Sequence, residues 1–237
     1  GYEQLLSEVF GELNIPYFID AKNPLLSHAL FELFRSALEC WAYRPTYERM
    51  MRFAKNRLLP LDEGEADLLD EYARSHGLRF WHWLSEDPWD FPPMPNEAEG
   101  AAARAEAIRN KACGPLLTML RALPKETSAV RLNQALRQMM QELAIEEALS
   151  KLTVLAQQEG RGEYAARHAQ AWEKLQAFLD EAAVLLGDEL FSADRLIKLY
   201  DSALSGLTVS TIPPGVDQVF VSSLERSRNP ELAAAFV

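Results

Sequence analysis

Cysteine is nearly absent from this sequence: Cys40 and Cys113 are the only two among 237 residues. A disulfide framework is excluded, and neither cysteine belongs to a metal-spaced cluster. Such sparing use fits a reducing compartment. Long apolar runs are missing as well. No stretch of about 18 apolar residues occurs, so no transmembrane helix is expected. The opening "GYEQLLSEVF" lacks the basic-then-apolar layout of a signal peptide. It also lacks an initiator Met, which leads us to expect processing or a cut chain. No G-x-x-x-x-G-K-[ST] is present to cradle a phosphate, and no G-x-S-x-G elbow to hold a nucleophile. Internal repeats and low-complexity tracts are missing too. Histidine is rare, and His28, His76, His82 and His168 are scattered without ligand spacing. His28 reads as a helix-start residue, and His76 as a helix-end residue beside Gly77 that complements the dipole.

Hydrophobic residues make up 48% and charged residues 25%, the balance of an ordinary globular protein large enough to bury a real core. Basic residues are outnumbered by acidic ones, and the net charge of −11 argues against a surface that binds nucleic acid all over. The excess is local. Residues 61–100 hold eleven acids against Arg74 and Arg79, a balance of −9 that leaves the remainder close to neutral. The acidic stretch, from Asp62 to Glu99, is expected to stay off any DNA path, because its field opposes a polyanion.

Periodicity organises most of the chain into helices. Residues 2–14 are amphipathic, and "IPYFID" follows as a short strand that Pro16 keeps from being helical. Over 28–42, Leu30, Leu33, Phe34, Ala37, Leu38 and Trp41 recur at helical spacing. Pro45 opens a helix expected to reach Leu59 before Pro60 stops it. Residues 64–76 form a helix that Gly77 closes. "LSEDPWDFPPMPN" (84–96) carries four prolines. It is expected to be a loop pinned by Trp89 and Phe91. Helices are expected at 97–122, at 126–158 with a break near Leu143, and at 162–186. Ser192 caps a last helix with a soft end at Gly206. The fold class is therefore mainly α: a body of about eight helices with short β segments at both ends of the chain. Such an arrangement reads as a helical insertion interrupting a sheet-containing domain.

Few residues carry chemistry. "DEAA" at Asp180–Ala183 imitates a helicase acidic box, but its surroundings keep a helical period, so it reads as helix surface. "WHW" at Trp81–Trp83 could stack bases, although an anchor for the proline loop is the stronger reading. Two features could touch nucleic acid. In "RPTYERMMRFAKNRLL", Arg49, Arg52 and Lys55 form a stripe opposite Met50, Phe53, Ala54 and Leu58, able to grip phosphates or simply to be solvated. In "SSLERSRN", Arg226 and Arg228 follow a strand, where ligand-binding loops are common.

Several ordered blocks resemble a known family. "VFGELNIPYFIDAKNPLLSHALFELFRSALE", "SEDPW" and "WEKLQAFLDEAAVLLGDELFS" are similar, in that order, to stretches of the B subunit of the bacterial ATP-dependent helicase/deoxyribonuclease AddAB. "TIPPGVDQVFVSSLERSRNPELAAAFV" is the most specific block, with Ser222 where that family usually has glycine. The resemblance implies a UvrD-like architecture. It places the start of a RecA-like 2A domain at 1–27, a helical 2B insertion at 28–208 and a return to 2A at 209–237. It implies a parent that unwinds and resects double-strand DNA ends in recombinational repair, in the cytoplasm and as a heterodimer with the A subunit. It further implies ATP, Mg²⁺ and a 4Fe–4S cluster for that parent, none of them held by this segment. Cys40 and Cys113 do not match the cluster cysteines. The alternative is a free-standing helical adaptor. A reading frame with a phosphate loop upstream and clustered cysteines downstream would separate the two.

The final run alternates so that "VDQVFVSSL" puts apolar side chains on both faces, as in a buried central strand. Residues 216–237 are therefore expected to be the weak point of the chain, frayed or self-associating.

Overall fold

Residue spacing makes one helix the centre of the structure. The computed structural model describes residues 3–13, 15–19, 23–95, 97–209 and 219–221. It begins with α1 (Glu3–Glu12), β1 (Tyr17–Ile19), β2 (Asn23–Pro24), a 3-10 turn over Leu25–Ser27 and α2 (Ala29–Tyr43). Beyond the apolar stripe read from its sequence, α2 also buries Phe31, Ser36 and Cys40, so nearly every face is covered. Its neighbours are α3 (Tyr47–Ala54), α6 (Ala101–Ala122), α9 (Gly162–Leu186) and α10 (Ala193–Ser205). Between them lie α4 (Glu63–Ser75), α5 (Phe80–Leu84), β3 (Glu126–Ser128), α7 (Ala129–Glu142), α8 (Ile145–Gln158) and β4 (Leu190–Ser192). The short strands β5 (Thr208–Val209) and β6 (Val219–Val221) complete the described order. The fold is mainly helical, with nine α-helices among the described residues between 24 and 207.

Local chemistry sets the boundaries. Asp62 and Glu65 close a reciprocal capping box at the start of α4, and Gly77 ends that helix region with a φ of +57°. The long helical stretch after residue 126 breaks at Ala144, whose φ of +51° separates α7 from α8. Two boundaries differ from the sequence reading. α3 stops at Ala54 rather than Leu59, because Asn56 folds the chain back. Its Nδ2 donates to Ala29 O at 2.8 Å, and its Oδ1 accepts from Leu58 N at 3.0 Å. α6 starts at Ala101 rather than 97, preceded by Gly100 at φ +73°.

The β3–β4 antiparallel pair, Glu126↔Ser192 through Ser128↔Leu190, has no forewarning in the sequence. Each strand is three residues long and runs into a helix. Ser128 caps α7 by accepting from Arg131 N at 3.3 Å, and Ser192 caps α10 by accepting from Arg195 N at 3.4 Å.

The proline-rich loop is held as expected. Trp89 lies parallel to Tyr72 at 5.8 Å and edge-on to Trp83 at 5.1 Å, and its Nε1 donates to His82 O at 3.1 Å. Phe91 sits against His76 and His82. Arg109, 2% exposed, adds a clamp invisible to periodicity. Its Nη2 donates to Trp83 O at 3.0 Å and Ser85 O at 2.5 Å, and its guanidinium lies over the Trp89 ring.

Residues 24–207 form one compact unit, and residues 1–23 with 208–237 form another. In the second unit, β1 and β6 pair in parallel, Tyr17↔Val219 through Ile19↔Val221. The Phe10 ring meets Tyr17 at 5.3 Å. Of the apolar run at 216–237, only Val219–Val221 falls within the described residues, so the expected weakness of that run lies outside them.

Candidate nucleic-acid interface

The basic stripe of α3 exists, but its cations are occupied. Arg49 donates through Nη1 to Tyr43 O at 3.0 Å and Arg44 O at 3.2 Å, and so serves the orphan carbonyls where α2 ends. Arg52 meets Glu39 at 2.6 Å, and Lys55 meets Asp70 at 2.6 Å. Asp70 is a hub that also accepts from Arg74 and from the Tyr47 hydroxyl. Burial opposes its charge, yet the hydrogen bonds from Lys55, Tyr47 and Arg74 outweigh burial and hold the carboxyl at about 2. The acidic stretch is thus partly internal: Glu65 binds Lys111 at 2.8 Å, and Glu97 binds His76 at 3.0 Å. Arg226 and Arg228 lie outside the described residues.

Sequence reasoning missed the groove beside that stripe. A hollow of about 700 Å³ is lined by Arg35, Arg52, Lys55, Arg57 and Arg167, five cations, against Glu32 and Glu39. Both carboxylates lie on α2, and Glu39 is shared by Arg35 at 3.5 Å and Arg52. A second hollow of about 220 Å³ shares Ser27, Arg57, Tyr164 and Arg167 with the first, and is lined further by His28, Arg161 and His168. Arg57, on the turn after α3, is exposed and has no hydrogen bond or ion pair among the described residues.

His28 and His168, 140 residues apart, meet in the wall of the smaller hollow. His28 Nδ1 accepts the Leu30 N–H at 3.2 Å, as the N-cap of α2. Its proton is therefore on Nε2, which donates to His168 Nδ1 at 2.8 Å. Burial first, then His168, Arg167 and Arg57, push His28 down to about 3. Burial, then Arg57 and Arg167, lowers His168 too. Both rings are neutral at pH 7, folded or unfolded. Below about pH 6.5 the unfolded chain binds protons that the folded one excludes, so stability falls as pH falls toward the folded values. His28 alone is expected to remove roughly 2–3 kcal/mol between pH 6.5 and 4.5. His28→Asn, which keeps a capping acceptor, should flatten the acid limb of a stability-versus-pH curve measured by urea unfolding. Parallel limbs for the two proteins would refute this.

The remaining sequence candidates resolve as structure. Trp81 is 48% exposed with Arg79 over its ring, while Trp83 is fully buried against Trp89. Two residues apart on a helix, they face different sides and form no shared platform. Asp180 of "DEAA" pairs with Arg137 at 2.7 Å on the surface of α9. Burial pushes the Cys40 and Cys113 thiols up, Cys113 to about 12, so neither is a ready nucleophile or ligand. Among the described residues, no group of three or more His, Cys, Asp or Glu is placed to hold a metal ion, and no helix is long and apolar enough to cross a membrane.

No family model matches the chain. Curated relatives do. It is 36% identical to the B subunit of the ATP-dependent helicase/deoxyribonuclease of Pelotomaculum thermopropionicum, with all of this chain and 21% of the relative covered. For the corresponding B subunits from Desulforudis audaxviator and Moorella thermoacetica the identity is 35%. All of this chain is again covered, with 22% and 21% of the relatives. The chain thus spans about a fifth of the length of the relatives it matches. By sequence it belongs, as one segment, to the family of ATP-dependent helicase/deoxyribonuclease B subunits.

Proposed function

We propose that this chain is a non-catalytic segment of a DNA-end-processing subunit. In this reading residues 28–208 are a 2B-type helical insertion, and residues 1–27 and 209–237 are two parts of a RecA-like 2A domain. The parent is a UvrD-like, cytoplasmic helicase and exonuclease subunit acting on double-strand DNA ends in recombinational repair, paired with an A subunit. One observation carries the reading: β1 and β6 lie side by side in parallel although a whole helical unit separates them in sequence. Parallel neighbours need a crossover connection. Here the connection is the helical unit itself, as in a sheet domain that carries an insertion. The names of the relatives supply the substrate class and the second subunit.

ATP, Mg²⁺ and an iron–sulfur cluster belong, in this reading, to other parts of the parent. The cysteines here do not fit a cluster. There are only two, both fully buried, and ligation requires a larger set of thiolates. The purified 237-residue chain, given tailed duplex DNA, should show neither steady ATP turnover nor release of nucleotides. Turnover that survives repeated purification would overturn the proposal.

A further inference from the structure

The smaller hollow has the chemistry of an anion site. The hydrogen-bond relay fixes its donor: with His168 Nδ1 accepting from His28, the His168 proton must sit on Nε2. That N–H has no hydrogen-bond partner among the described residues, and His168 lines the hollow. The relay starts from a backbone N–H, so the donor is set without protonating either ring. Around it stand three guanidinium groups. Arg161 is engaged with Glu159, and Arg167 reaches Ser27 Oγ at 3.2 Å. Arg57 faces the same hollow and has no counter-charge among the described residues. A guanidinium fork with an adjacent neutral N–H suits a tetrahedral oxyanion.

Size narrows the ligand. About 220 Å³ is below the usual range for a whole organic ligand, so the hollow fits a compact group. It shares a wall with the 700 Å³ groove, which gives the rest of a longer molecule somewhere to lie. The groove cations Arg52 and Lys55 are already neutralised by Glu39 and Asp70. Strong anion attraction is therefore confined to one point.

We propose that Arg57, Arg167 and His168 Nε2 hold a single phosphate of a nucleic-acid strand whose neighbouring nucleotides occupy the adjoining groove. The strand, as opposed to free phosphate, rests on the DNA role proposed above. A single neutralised phosphate predicts a shallow salt dependence, with log K falling about 0.7 per tenfold rise in salt for single-stranded DNA. An extended basic track would give a slope several times steeper.

The test uses the 237-residue chain, a short single-stranded oligodeoxynucleotide and inorganic phosphate. Imidazole NMR follows His168, and fluorescence anisotropy follows the oligonucleotide. Both ligands are expected to shift the His168 Nε2–H resonance, with a salt slope near one phosphate. Arg57→Ala should weaken oligonucleotide binding about tenfold without changing the melting temperature, since Arg57 is exposed. Arg195→Ala, whose guanidinium lies over Phe191, is the control and should bind as the unaltered chain does. If neither ligand moves His168, the site is refuted. Oligonucleotide binding that is indifferent to Arg57→Ala also refutes it, while leaving a DNA role intact. A response to phosphate without any oligonucleotide binding overturns the strand and counts against the DNA role itself.

Discussion

Trp83→Ala should destabilise the helical unit by about 4 kcal/mol, at the upper end for truncating a buried aromatic. Trp83 has no exposed surface and supplies the edge contact for Trp89. Its carbonyl is also one of the two that Arg109 grips. Truncation leaves a cavity that the proline loop cannot fill, since its prolines restrict the backbone. Trp89 should then lose its parallel seat on Tyr72. Urea unfolding followed by far-UV circular dichroism reads the stability, and Trp89 fluorescence in a Trp81→Ala background reads the loop. Trp81→Ala alone should cost no more than about 0.5 kcal/mol, as expected of an exposed side chain. Similar losses for the two substitutions would show that the loop is not built on Trp83.

Asn133→Ala is the second large effect, expected at about 3 kcal/mol. Asn133 is buried, and its amide ties three helices. Nδ2 donates from α7 to Leu179 O on α9 at 2.6 Å, and Oδ1 accepts from Tyr200 Oη on α10 at 2.7 Å. Alanine leaves the buried Tyr200 hydroxyl without its acceptor, and the desolvation of that group goes uncompensated. The Tyr200 ring packs edge-on against Phe178 at 5.2 Å, so it has little freedom to seek another partner. A double-mutant cycle with Tyr200→Phe isolates the bond. A coupling energy of about 1 kcal/mol or more is expected, and additivity within about 0.5 kcal/mol would dismiss the network.

What is legible in the sequence is local. The α2 stripe, the break near Leu143, the Gly77 stop and the pinned proline loop all follow from patterns a few residues long. Pairing across distance is not legible. Nothing near His28 indicates His168, and nothing in the period of α6 shows that Arg109 turns inward to hold two carbonyls. The spacing of α3 does reveal a row of cations. Their carboxylates come from α2 and α4, so the row's charge cannot be judged from its own residues. Arg57 escapes for the converse reason. It lies beyond the true end of the helix, where the expected helix to Leu59 hides a turn. The β3–β4 pair is too short to alternate.

The helical unit begins and ends at one place: Leu25 N donates to Leu207 O at 3.4 Å. For the folding chain this acts as a clasp. Without it, pairing Tyr17 with Val219 closes a loop of about two hundred residues. With residues 24–207 already folded, the chain left to close is about tenfold shorter, which lowers the entropic cost by roughly 2 kcal/mol. The parallel pair therefore gains from forming second. The same clasp leaves the helical unit with adjacent termini, the condition under which a domain can be transplanted or circularly permuted without unravelling.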